Sequence, residues 1–145
     1  MRYTNEREIT DLVRSFEDAS VARSVWKHAE HLVVALYYLE HHDLETATEI
    51  MRRGLFNLLV KGFGVDLEKG MPYHETLTVF WMRAVAAFNA VKNGASLVDK
   101  TNELVAKYDK DYPLRFYSRE YLFSDEARAN FVEGDVELFS ETADS

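Results

Sequence analysis

The chain has 145 residues, 47% hydrophobic and 29% charged, which is the balance of a globular protein and not of a disordered one. Its net charge of -8, with no cluster of lysine and arginine to interrupt it, argues against nucleic acid and anionic membrane as partners and in favour of a small molecule or another protein. Cysteine is absent, which removes disulfides, thiolate nucleophiles and sulfur ligation together and leaves imidazole and carboxylate as the strong metal ligands.

The opening residues, Met1 to Glu8, lack the apolar run of a signal peptide, and no stretch approaches the ~20 apolar residues of a membrane span, so a cytoplasmic protein is expected. Ile9, Leu12, Val13 and Phe16 recur at the helical interval and predict a first amphipathic helix over residues 5–17. A second helix is expected to begin after Ser20 or Ser24 and to run to about Glu40. Its almost wholly apolar stretch from Leu32 to Leu39 marks it as the central helix.

His41-His42-Asp43 makes a tight connection, and Asp43 can cap a third helix whose Ala47, Ile50, Met51, Gly54 and Leu58 form one stripe. So short a link implies antiparallel neighbours. From Lys61 to Tyr73, glycines 62, 64 and 70 and Pro72 predict the longest internal loop.

A fourth helix is expected over about Tyr73 to Asn93, with Leu77, Thr78, Trp81, Val85 and Phe88 on one side and Gly94 as its stop. Leu97, Thr101, Leu104, Val105 and Tyr108 mark a fifth, bounded by Pro113. Ser124 can cap a last short helix through Val132. The expected fold is therefore all-α, a four-helix bundle core with additional short C-terminal helices. It forms one domain over residues 1–133, followed by an acidic, loosely held tail over 134–145.

Three of the five histidines fall on faces expected to be buried. His28 and His31 lie about one turn apart and share a face with Leu32, Ala35 and Leu39, whereas Glu30 falls on another face as a solvated charge. His74 aligns with Leu77, Thr78, Trp81 and Val85. Burial and the positive end of its helix both disfavour imidazolium there, and a neutral imidazole is what a metal requires.

If the second and fourth helices are neighbours, the three imidazoles can converge. Three histidines with an open position are a catalytic arrangement for zinc, and imidazole-rich sites also suit iron, copper, nickel or manganese. Glu75, beside the third candidate ligand, is either a further ligand or general base or a charge complementing the helix N-terminus. Tyr117 and Arg119, in the segment Phe116 to Glu120, are candidates for orienting a substrate, Arg119 through a carboxylate or phosphate group. The plainer alternative has Tyr117 packed on the bundle and Arg119 paired at the surface. His41 and His42, at a polar helix end, are read as interacting with terminal carbonyls.

These motifs resemble an uncharacterised family of small bacterial helical proteins with an aromatic-x-His-x-x-His-Leu helix, a Tyr-His-Glu-Thr helix start and a Tyr-Ser-Arg-Glu segment. Here they are Trp26 to Leu32, Tyr73 to Thr76 and Tyr117 to Glu120, spanning most of the chain. Where that family places a small hydroxyl residue before the first histidine, this chain has Lys27. The resemblance implies that the three segments belong together and supplies no reaction.

The leading expectation is a small metal-dependent enzyme, hydrolytic or oxidative, with His28, His31 and His74 as ligands of a divalent metal and a small molecule as substrate. Two others stand beside it. One is a non-enzymatic module holding a small ligand in a histidine-lined pocket. The other is an interaction protein whose aromatic-rich carboxy-terminal third, Tyr108, Tyr112, Phe116, Tyr117, Tyr121 and Phe123, makes a homodimer.

Overall fold

The computed structural model describes residues 2–92 and 94–140. Every regular element among them is helical: α1 (Glu6–Glu17), α2 (His28–His41), α3 (Leu44–Asn57), α4 (Glu75–Ala90), α5 (Leu97–Lys107), and two short helices, α6 (Arg119–Leu122) and α7 (Asp125–Ala129). A π-helical turn, Leu58–Gly62, continues α3, and a 3-10 turn, Tyr112–Arg115, precedes α6. The expected all-α fold is observed, and among the described residues no helix is long and apolar enough to cross a membrane.

The core is built round α2, which packs against α1, α3, α4 and α5. The sequence gives it no other place: Leu32, Val33, Val34, Ala35 and Leu36 are consecutive and all fully buried, so the helix is apolar on every side and must be covered on every side. Its neighbours are amphipathic, burying Ile9, Val13 and Phe16 from α1 and Ala47 and Met51 from α3.

Local chemistry sets the helix starts. Asn5 accepts from the Glu8 amide at 3.0 Å while Glu8 reaches back to the Asn5 amide at 3.2 Å, and Asp43 accepts from the Thr46 amide at 2.8 Å. The second helix begins later than expected. Residues 20–26 are tied in turns, Trp26 N–H donating to Ala22 O at 3.0 Å, and the first helical turn forms only where Glu30 accepts from the Lys27 amide at 3.0 Å.

Glu30 corrects a second expectation. It is buried and not solvated, because Arg2 folds over from the amino-terminal arm to pair with it. A buried carboxylate needs such a partner.

Gly54 is where α3 meets the core most closely. A β-carbon at that position would stand 2.4 Å from Phe16 Cε2, and Phe16 is itself fully buried and stacked on Trp26 with ring centroids 4.9 Å apart. At the far end of α2, buried Lys100 of α5 donates to Glu40 Oε2 at 2.9 Å and to Asn89 Oδ1 at 2.8 Å, tying α2, α4 and α5 together.

Residues 134–140 are not the loose tail that their composition suggests. The amides of Val136 and Glu137 donate to Phe116 O, Asp135 accepts from Ser118 through both its amide and its hydroxyl, and the Phe139 ring lies 5.4 Å from Phe80. The rest of the expected tail, 141–145, lies outside the described residues.

Candidate functional site

The second and fourth helices are adjacent, as the site requires: the His28 ring of α2 lies 4.8 Å from the Trp81 ring of α4. A cavity of about 300 Å³ opens beside this contact. Its walls come from Trp26, His28 and His31 at the start of α2, from His74, Leu77, Thr78 and Trp81 at the start of α4, and from Leu55, Leu58, Leu59 and Phe63 at the end of α3. Pro72, Tyr73 and Lys110 complete it.

The π-helical turn is the local cause of the third wall. Phe63 N–H donates to Leu58 O at 2.8 Å, one residue further back than in an α-helix, and this widened turn carries Leu58, Leu59 and Phe63 to the cavity.

All three candidate histidines line this one cavity, but they are not equivalent. His74 is the N-cap of α4: its Nδ1 accepts from the Leu77 amide at 3.1 Å, and its Nε2 donates to Leu122 O at 2.7 Å. An amide can only donate and a carbonyl only accept, so the tautomer is fixed and the ring neutral. Burial pulls its pKa below the ordinary value, the bond to the Leu122 carbonyl pulls the other way, and the Arg128 guanidinium adds to the lowering. The proton sits on Nε2 and the Nδ1 lone pair is in use, so His74 has none left for a metal.

His28 also gives up a nitrogen, its Nε2 donating to Tyr108 O at 3.1 Å. His31 differs from both. As a residue it is only partly buried, yet its Nε2 is closed off from solvent and has no hydrogen-bond partner among the described residues. Burial, with the nearby His28 pushing the same way, lowers its pKa to about 4, so the ring is neutral at physiological pH.

The convergent chelate is therefore not assembled. Among the described residues no three His, Asp or Glu side chains stand close enough together to hold a metal ion, and the engagement of His74 is the physical reason.

The remaining candidates lie elsewhere. Glu75 faces away from the cavity and takes Arg52 in a two-pronged pair, Nε to Oε1 at 2.9 Å and Nη2 to Oε2 at 2.8 Å, while Tyr73 Oη donates to it at 2.6 Å. Burial pushes its carboxyl up, but the bonds from Arg52 and Tyr73 outweigh that and hold its pKa below the ordinary value. Tyr117 is buried, donates to Val132 O at 2.5 Å, and has its phenol pushed up to about 12 by burial. Arg119 is exposed at the start of α6. Neither Tyr117 nor Arg119 lines the cavity.

The aromatic residues offered for a homodimer are largely spent inside the chain. Tyr108, Phe116 and Tyr117 are buried in one network with Phe80 and Trp81, and of that group only Phe123 is exposed.

Sequence reasoning missed two parts of the site. The wall from Leu55 to Phe63 follows from a helical irregularity that apolar periodicity does not encode. Lys110 lies in a polar stretch between helices, and nothing in that stretch marks it.

No protein-family model, no curated protein and no solved structure matches this chain.

Proposed function

We propose that this protein binds a small, mainly apolar molecule in the cavity between the starts of α2 and α4 and the end of α3, in a core we read as bundle-like. One observation carries the reading: a cavity with mainly apolar walls that include the neutral imidazole of His31, whose buried Nε2 has no hydrogen-bond partner among the described residues. Leaving such a group unsatisfied costs about 1–3 kcal/mol, a cost that a ligand with one hydrogen-bonding group would remove once the ring turns its Nε2 toward the cavity. Small-molecule sites have this composition, apolar walls with few polar groups, and about 300 Å³ stands at the lower end of their size range.

The chain supplies its own reporter, since both of its tryptophans, Trp26 and Trp81, line the cavity. Titration with octanamide, a neutral chain with one polar end, is expected to change tryptophan fluorescence saturably. His31→Leu should weaken that binding by about three- to tenfold, the worth of one hydrogen bond. Absence of a saturable change, or equal affinity in His31→Leu, would overturn the proposal.

A metal-dependent enzyme, hydrolytic or oxidative, is the second reading: His28, His31 and His74 share one cavity, and His74 would have to release the Leu77 amide to serve as a ligand. Stoichiometric zinc, iron, copper, nickel or manganese in protein purified without an affinity tag, lost in His28→Ala, would establish it in place of the first. Metal-free protein that also binds none of these ions when they are added would end it.

A further inference from the structure

Resting on the binding reading above, we infer that the ligand is a small monocarboxylate, its apolar body in the cavity and its charge met by Lys110 at the wall. The chain carries 25 acidic residues against 17 basic ones, yet no Asp or Glu lines this cavity. His31 and His74 are neutral, and Lys110 is the one lysine, arginine or carboxylate side chain in the lining.

That ammonium is exposed and pairs with no carboxylate among the described residues. Its sequence neighbours Asp109 and Asp111 do not reach the lining, and Asp109 instead accepts from the Asp111 amide at 2.9 Å. A second cation reinforces the sign: the Arg23 guanidinium stands 5.1 Å from the ring centroid of Phe63, a cavity wall. A cationic ligand would find no carboxylate in the lining and would face the Lys110 ammonium.

The choice of carboxylate over a more highly charged anion follows from number. One ammonium matches one charge, and the lining offers no arginine fork or second ammonium of the kind that phosphate recognition uses. The length follows from volume: about 300 Å³, at ~30 Å³ for each water-sized group, holds on the order of ten non-hydrogen atoms.

Octanoate and octanamide differ in charge and scarcely in shape, so comparing them by tryptophan fluorescence in the full chain isolates the charge. At low ionic strength octanoate is expected to bind about three- to fivefold more tightly than octanamide, the worth of a solvent-exposed ion pair. The preference should shrink in ~0.5 M salt, where screening reaches a few ångströms, and should vanish in Lys110→Gln, a surface change that leaves the core untouched. Octanamide binding as tightly as octanoate would overturn the carboxylate inference and leave the cavity reading standing. An octanoate preference that survives in Lys110→Gln would overturn the role of Lys110. If neither compound alters the fluorescence, the binding reading fails and this inference fails with it.

Discussion

Replacing His31 by leucine should make the protein more stable and less able to bind. The side chain is of similar reach, and it removes a buried nitrogen that has no partner. Relief of that unsatisfied group is worth about 1–2 kcal/mol at pH 7, equivalent to a rise in melting temperature of about 2–8 °C for a chain of this size.

Acid should enlarge the difference, and the sign is fixed by the direction of the pKa shift. Folding lowers the His31 pKa from 6.5 to about 4. Between those values the unfolded chain takes up a proton that the folded chain refuses, so stability falls as pH falls through this window. At about 1.4 kcal/mol per pH unit, the two and a half units between 6.5 and about 4 give a loss of up to about 3 kcal/mol, which His31→Leu should not show. Urea denaturation of both proteins between pH 7.5 and pH 4 measures this directly. A variant less stable than the parent at pH 7, or two stability curves that stay parallel on acidification, would refute the reasoning.

Gly54→Ala should destabilise by about 1–3 kcal/mol despite the better helix propensity of alanine, since the new methyl meets the Phe16 ring, and thermal denaturation would show it. Glu75→Gln should cost about 1 kcal/mol or more at neutral pH by breaking the Arg52 pair. Because the Glu75 pKa is lowered, its contribution is present above the ordinary carboxylate value and is lost as pH falls below it, so parent and variant should converge in acid. The same variant should bind octanamide unchanged, since Glu75 does not line the cavity. Lys100→Ala should lose about 1–2 kcal/mol in chemical denaturation, through its buried stem and its bonds to Asn89 and to the exposed Glu40. Arg119→Ala, an exposed change, should stay within about 0.5 kcal/mol of the parent in the same assay.

What the residues disclosed and what they concealed divide along a physical line. The course of α2 was legible because Leu32 to Leu36 leave no polar face, and the starts of α3 and α7 because Asp43 and Ser124 are short side chains that can satisfy a free amide. The shared cavity of His28, His31 and His74 was legible for the same reason, apolar periodicity, which fixes which way a side chain faces. Periodicity does not fix what the side chain then meets. Both nitrogens of His74 are occupied by its own helix and by Leu122, far along the chain, and Glu30 is buried by Arg2 from a segment with no pattern of its own. The acidic composition of residues 134–140 gave no sign that their amides and Phe139 would close over Phe116 and Phe80. Long-range partners of polar groups decided the site, and a single sequence does not carry them.

On the proposed reading, His31 Nε2 is the polar anchor of a ligand cavity. Imidazole nitrogen resonances of the uniformly ¹⁵N-labelled chain, recorded at pH 7 with and without octanamide, test it most directly. A neutral His31 is expected, with an Nε2 signal that shifts as the ligand saturates, while the signals of His74, with both nitrogens already engaged, stay in place. A His31 signal that does not respond to bound ligand would contradict it, as would joint movement of the His28, His31 and His74 signals on adding one equivalent of zinc.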